Sequence, residues 1–178
     1  MAILNFQKPD KIILQKATDF EAQFEFRPLE PGFGVTIGNA LRRVLLSSLE
    51  GYAIVGVKID GVDHEFATIK GIAEDVVEIL LNLKQVRFKK VVDHEVGNER
   101  IMLSIKNRSE FIAAMIGEGT QSFQIMNPEL LICTLDSSAK LDIELTVGKG
   151  RGYVPAEDNK PKDAVVGYIP IDSIYTPI

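Results

Sequence analysis

Cysteine is almost missing from this chain: Cys133 is alone in 178 residues. No intrachain disulfide can form, and its place within the apolar run Leu130 to Leu135 marks it as a small buried hydrophobe. Such usage fits a reducing cytoplasm. Histidine is nearly as scarce, and His64 and His94 have no cysteine or carboxylate at metal-ligand spacing, so both read as surface or turn residues and no metal is expected. No apolar run approaches the roughly 18 residues that a membrane-spanning helix needs. The N-terminus, MAILNFQKPDK, lacks the basic start and apolar core of a signal peptide. An excess of basic charge is also missing: 20 Lys and Arg against 25 Asp and Glu give a net charge of −5. That argues against gripping a nucleic-acid backbone unaided, and points to protein partners. No internal repeat or low-complexity segment occurs.

Catalytic constellations are equally scarce. Ser47 and Ser48 fall inside a helical pattern, without the strand–turn setting that exposes a nucleophile. Glu74, Asp75 and Glu78 sit near the start of a helical pattern, where the macrodipole favours carboxylates, and do not read as a catalytic pair. There is no aspartate triplet to hold the two metal ions that nucleotide polymerisation uses. The residues predict a chain that does no chemistry itself and needs no cofactor.

What is present is a soluble composition, 46% hydrophobic and 25% charged, at a length that suits one domain carrying a large insertion. The stretch that organises the rest is Pro28 to Gly51, PLEPGFGVTIGNALRRVLLSSLEG. A Pro- and Gly-rich turn leads to Thr36 as N-cap, a helix from about Ile37 to Glu50, and Gly51 as the C-cap glycine. At about 100° per residue, Ile37, Ala40, Leu41, Val44 and Leu45 form one continuous apolar arc. Leu41 is therefore expected in a core. Leu46 and Leu49 lie on the other side with Arg42 between them and Arg43 just beyond, the composition of a protein-interface core, with scattered surface apolars as the alternative.

Around this helix the chain takes an α+β pattern. Phe20 to Phe26 alternates strictly, with Phe20, Ala22, Phe24 and Phe26 on one face, and should pair with Lys11 to Leu14 as a sheet under the helix. There the phenylalanines would meet Ile37, Leu41 and Val44. Ala53 to Ile59 reads as a strand ending at the Asp60-Gly61 turn, with His64 to Thr68 as its returning partner. Ile72 to Leu83 reads as a helix. Arg87 to His94 and Glu99 to Lys106 flank Val96-Gly97-Asn98 as a hairpin, and Ser122 to Met126 and Leu130 to Leu135 are short strands. Leu141, Ile143, Leu145 and Val147 alternate with polar residues as a half-buried strand. Ala156 to Asp163 is a polar loop, after which Val165 to Ile174 turns apolar again.

Two stretches invite a ligand reading. Gly148-Lys149-Gly150-Arg151-Gly152 alternates glycines with cations and could cradle a phosphate. It lacks the Gly-Lys-Ser/Thr ending and following helix of a phosphate loop, so the end of a strand is the favoured reading. A small nucleotide-binding enzyme built on residues 148–152 is the alternative function. Lys84, Arg87, Lys89 and Lys90 form the densest cationic patch, either the solvent face of a strand or a docking patch for an acidic surface.

PLEPGFGVTIGNALRRVLLSSLEGYAI resembles the signature helix of the bacterial RNA polymerase alpha subunit. GVDHEFATIKGIAEDVVEILLNLK, residues 61–84, and GRGYVP, residues 150–155, resemble the same family in the same order. The resemblance implies an assembly scaffold in the cytoplasm: two copies pair, and the dimer receives the large catalytic subunits beta and beta-prime. It assigns Arg43 to the beta contact, and Leu46, Lys84 and Ile171 to beta-prime. Phe6, Phe33, Ile37, Leu41, Val44 and Leu45 match the dimerisation region. The implied organisation is a sheet-plus-helix dimerisation subdomain opening at 1–51, an inserted α+β subdomain at 52–170, and a return toward the first at 171–178. A second long helix and a DNA-contacting C-terminal domain belong to the family and not to this sequence, which reads as truncated, so no direct nucleic-acid contact is expected.

Overall fold

The computed structural model of the chain describes residues 6–18, 20–176 and 178, and its internal contacts separate two units, Met1–Leu45 and Leu46–Ile178. The first unit is a hairpin and a helix. Strand β1 (Lys11–Ala17) pairs antiparallel with β2 (Ala22–Arg27), setting Ile12 opposite Phe26 and Leu14 opposite Phe24. The expected pairing is present, although Phe20 lies in the connecting turn rather than in the strand. Helix α1 (Phe33–Ser47) starts earlier and ends earlier than its sequence suggests. The Pro31-Gly32 turn, closed by the Phe33 N–H on the Glu30 carbonyl at 3.1 Å, launches it at Phe33, so Thr36 is inside the helix and not its cap. Gly51 is not a C-cap either: it is a strand residue paired with Gly150. Among the described residues of the first unit none is buried, so the expectation of a Leu41 core fails. Leu41, Val44 and Phe24 all face open space, at 54%, 47% and 63% exposure.

The second unit holds the core. Strand β3 (Glu50–Ile59) is followed by helix α2 (Val76–Leu83), β4 (Phe88–Lys90), β5 (Glu99–Lys106), β6 (Glu110–Ile112), helix α3 (Ala114–Glu118), β7 (Phe123–Ile125) and β8 (Leu131–Thr134). Then come β9 (Lys140–Arg151), β10 (Tyr153–Val154), β11 (Tyr168–Pro170) and β12 (Ser173–Ile174). The central antiparallel sheet has the order β11-β3-β9-β5; β4 pairs with β7, β6 with β8, and β10 with β12. Along β9 the alternation read from the sequence holds, with Leu141, Ile143, Leu145 and Val147 all buried.

Three expected elements come out differently. The 87–94/99–106 hairpin does not form, because β9 is long enough to take β5 along its length and brings Ile101 and Ile105 into the same core as its own apolar residues. Residues 64–68 carry no strand. The helix expected from Ile72 starts at Val76: Asp75 caps it, accepting from the Glu78 N–H at 2.8 Å, while Ile72 and Ala73 are tied to residues 134 and 135. Val76, Ile79, Leu80 and Leu83 then form its buried stripe at helical spacing.

Strand β3 is buried over Ala53 to Val57 because it is covered on both faces. Its pairing with β9 shifts between Ile54 and Gly56, leaving Val55 as an extra residue. Before the bulge Tyr52 and Ile54 face the main core, and after it Val57 and Ile59 do. Ala53 and Val55 face the opposite way and pack with Tyr175. Tyr175 needs a seat without side chains for both ring and backbone: a Cβ on Gly150 would lie 2.4 Å from the ring, and one on Gly51 1.9 Å from the Tyr175 carbonyl oxygen.

Gly150→Ala should therefore cost roughly 1–3 kcal/mol by overpacking, and a Tyr175→Ala background should remove most of that cost. Gly97, with nothing within 4 Å of a would-be Cβ, serves as a neutral control. Leu83→Ala should lose about 2–5 kcal/mol as a buried cavity and Leu41→Ala under about 1, both read by denaturant titration of the isolated chain.

Candidate functional site

The residues expected at a subunit interface fall on two surfaces, one in each unit. On the first unit, Phe33, Leu41, Val44 and Leu45 are exposed on α1 and Ile37 is half-buried. Phe6 packs edge-on against Phe33 with ring centroids 4.9 Å apart, so these two aromatic residues do meet. Arg43 is exposed on the same helix. Leu46, at the start of the second unit, is exposed too. Apolar side chains at helical spacing with none of the helix buried are a face that only another surface can dry.

On the second unit the structure brings Lys84 and Ile171 together in unequal roles. Lys84 follows the last turn of α2, and its Nζ donates to Asp172 Oδ2 at 2.9 Å. Ile171 is 1% exposed and belongs to the main core, so its side chain is a packing residue, a correction to the expected surface contact. What reaches the surface is its neighbourhood, a depression of about 230 Å³ walled by Phe66, Leu81, Lys84, Pro170 and Asp172. Phe66 is 79% exposed and Leu81 50%. Asp172 Oδ1 accepts from the Ala156 N–H at 2.9 Å. Lys84 first, and the Ala156 N–H second, hold the Asp172 carboxyl below the usual carboxylate range. Asn159 Nδ2 donates to the Ile171 carbonyl at 2.7 Å and to Ser173 Oγ at 2.9 Å, which fixes the loop against the same segment.

Phe66, Leu81 and Asp172 were not picked out by sequence reasoning. Leu81 carried a signal, since it is an apolar residue off the Val76-Leu80-Leu83 stripe. Asp172 carried none, because its value comes from two partners distant in the chain.

The Gly148–Gly152 stretch is not a ligand cradle. Residues 148–151 are the end of β9, with Gly148 leaving room for Val55 and Gly150 for Tyr175. Gly152 turns the chain with φ +58°. Lys149 donates to Glu50 at 3.1 Å and to Glu95 at 3.4 Å, and Arg151 also pairs with Glu50. Arg151 first, then Lys149, hold the Glu50 carboxyl below its ordinary range. Both cations are thus engaged within the protein. The cationic patch is likewise tied in part: Arg87 donates to the Ile174 carbonyl and Lys90 to that of His94, each at 3.2 Å. Burial, then Glu74, pushes the Cys133 thiol up to about 12, so it stays protonated. Among the described residues no group of three or more His, Cys, Asp or Glu could hold a metal ion, and no helix is long and apolar enough to cross a membrane.

Comparison with known proteins places this geometry. A family model described as the RNA polymerase Rpb3/RpoA insert domain matches residues 57–176. Over 178 residues and the whole of this chain, the DNA-directed RNA polymerase subunit alpha of Cytophaga hutchinsonii is 62% identical. Those of Flavobacterium psychrophilum and Bacteroides thetaiotaomicron are 56% and 58% identical over the same span. The match takes in 54% of each of these relatives, so the chain spans about half their length. With the family model covering more than half of it, the chain belongs to the RNA polymerase Rpb3/RpoA insert-domain family.

Proposed function

We propose that this chain is the assembly region of a bacterial DNA-directed RNA polymerase alpha subunit, acting in the cytoplasm as a protein scaffold without catalytic groups of its own. Two copies pair through the apolar face of α1, with Phe6, Phe33, Ile37, Leu41, Val44 and Leu45 at the contact. Arg43 then meets the beta subunit. Leu46 and the patch around Lys84 meet beta-prime, with residues 52–170 serving as the insert. The observation that carries this reading is α1 itself: a 15-residue helix rich in leucine and valine, with no residue buried in its own chain. The relatives' shared name supports it, as does the engagement of Lys149 and Arg151 by Glu50, which leaves the nucleotide-binding alternative without free cations.

Co-purification with beta and beta-prime tests the scaffold. Stoichiometric capture of both is expected; a chain that captures neither, yet is stabilised by nucleotides in thermal unfolding, would overturn the reading. Arg43→Ala should weaken capture of beta by about tenfold or more while thermal unfolding stays close to wild type, since the side chain lies outside the buried core. Ile37→Asp or Leu45→Asp should abolish pairing of two copies in light scattering. A dimer indifferent to both charges would remove α1 from the contact.

A further inference from the structure

We propose that Asp172 is the positioning residue of the Lys84 contact, and that the two meet a large subunit as one neutral unit on the rim of an apolar socket. This rests on the reading that the Lys84 patch faces beta-prime. It goes further by assigning which groups touch the partner and which hold them in place.

Among the described residues the Lys84 side chain has one partner, Asp172, at 2.9 Å. The pair is already largely covered, with side-chain exposures of 25% and 33%. A docking surface would strip its remaining water. An ammonium dehydrated without a counter-charge is heavily penalised, and so is a carboxylate. Prepaired, each compensates the other inside this chain, and the partner need supply no charge. Asp172 is well built for this. Ile171 and Ser173 on either side of it are buried, and its second oxygen is held by the Ala156 N–H, so the carboxylate cannot drift.

The chemistry of the occupant follows from the walls. Phe66 and Leu81 present exposed apolar surface, and Leu80, Pro170 and Ile171 line the depression beneath. Glu65 lines it too, so a partner carboxylate reaching for Lys84 would meet Asp172 and Glu65 as two like charges. An aliphatic or aromatic side chain fits this rim and an acidic one does not. Lys84 thus shapes the socket, while Phe66 and Leu81 make the contact.

The test uses the full-length subunit and measures capture of beta-prime by Asp172→Asn, Lys84→Met, the double variant and Leu81→Ser. Asparagine retains an oxygen for the Ala156 N–H. Each charge-removing single variant should weaken capture by about tenfold, because it leaves one dehydrated charge unpaired. The double variant should recover to within about threefold of wild type, a rescue that damage to the fold would not give. Leu81→Ser should weaken capture by about tenfold with thermal unfolding unchanged. Two results overturn the proposal: Asp172→Asn binding as wild type, or the double variant as weak as Lys84→Met, which would mean the partner reads the cation directly. If Leu81→Ser, Phe66→Ser and Lys84→Met all bind as wild type, the patch does not face beta-prime and the underlying reading falls with it.

Discussion

Side chains on a strand alternate with a period of two, so a sheet buried on one face tolerates no slip in phase, and β3 contains one. Tyr52 and Ile54 are even-numbered, Val57 and Ile59 odd, yet all four must meet the core presented by β9, whose alternation is unbroken. A regular pairing would turn half of β3 outward. The extra residue at Val55 absorbs the mismatch, and it does more than repair register. Its carbonyl accepts the Ile171 N–H at 3.0 Å, and that of neighbouring Ile54 accepts from Ser173 Oγ at 3.0 Å. The irregularity in the ladder thus becomes the anchorage for residues 171–175.

That segment gives the glycine-rich motif its meaning. The Tyr175 N–H donates to the Gly152 carbonyl at 2.9 Å, its ring lies against Gly150, and its backbone carbonyl lies against the facing Gly51. Glycines that could have wrapped a phosphate instead make room for packing, Gly148 for Val55 and Gly150 for the Tyr175 ring. The same segment delivers Asp172 to Lys84, so the packing that orders this strap also composes the candidate contact surface. The packing of the strap and the placing of Asp172 beside Lys84 share one piece of chain here, and a substitution beneath the strap would act on both.

Legibility followed the range of the forces involved. The β9 alternation and the apolar stripe of α2 are local periodicities, and both could be read directly. Helix limits were harder. Gly51 looks like a cap until Gly150 and Arg151 arrive to pair with residues 50 and 51. The missing hairpin had the same cause, a distant strand outcompeting a nearby turn. Short pieces such as β6 and α3 have too few residues to show a period at all. Helix α1 is legible as a two-faced element, but its apolar arc reads as a core face and the structure leaves it unburied. A sequence shows that a side is apolar and not which molecule covers it. Lys84 could be named, and Asp172 could not, because a salt bridge between residues 88 apart leaves no trace in spacing.

Strand β11 lies at the rim of the central sheet, three residues long and ending in a proline. The Tyr168 N–H is taken by the Val165 carbonyl at 3.1 Å, the Ile171 N–H by Val55, and Pro170 has none to give. Ile169, two places from Ile171, points its amide toward β3. A foreign strand approaching this margin therefore finds no donor with which to extend the ladder. Exposed side chains can discriminate between the surfaces they meet, whereas backbone pairing cannot, and along that border of the sheet the indiscriminate mode is closed off.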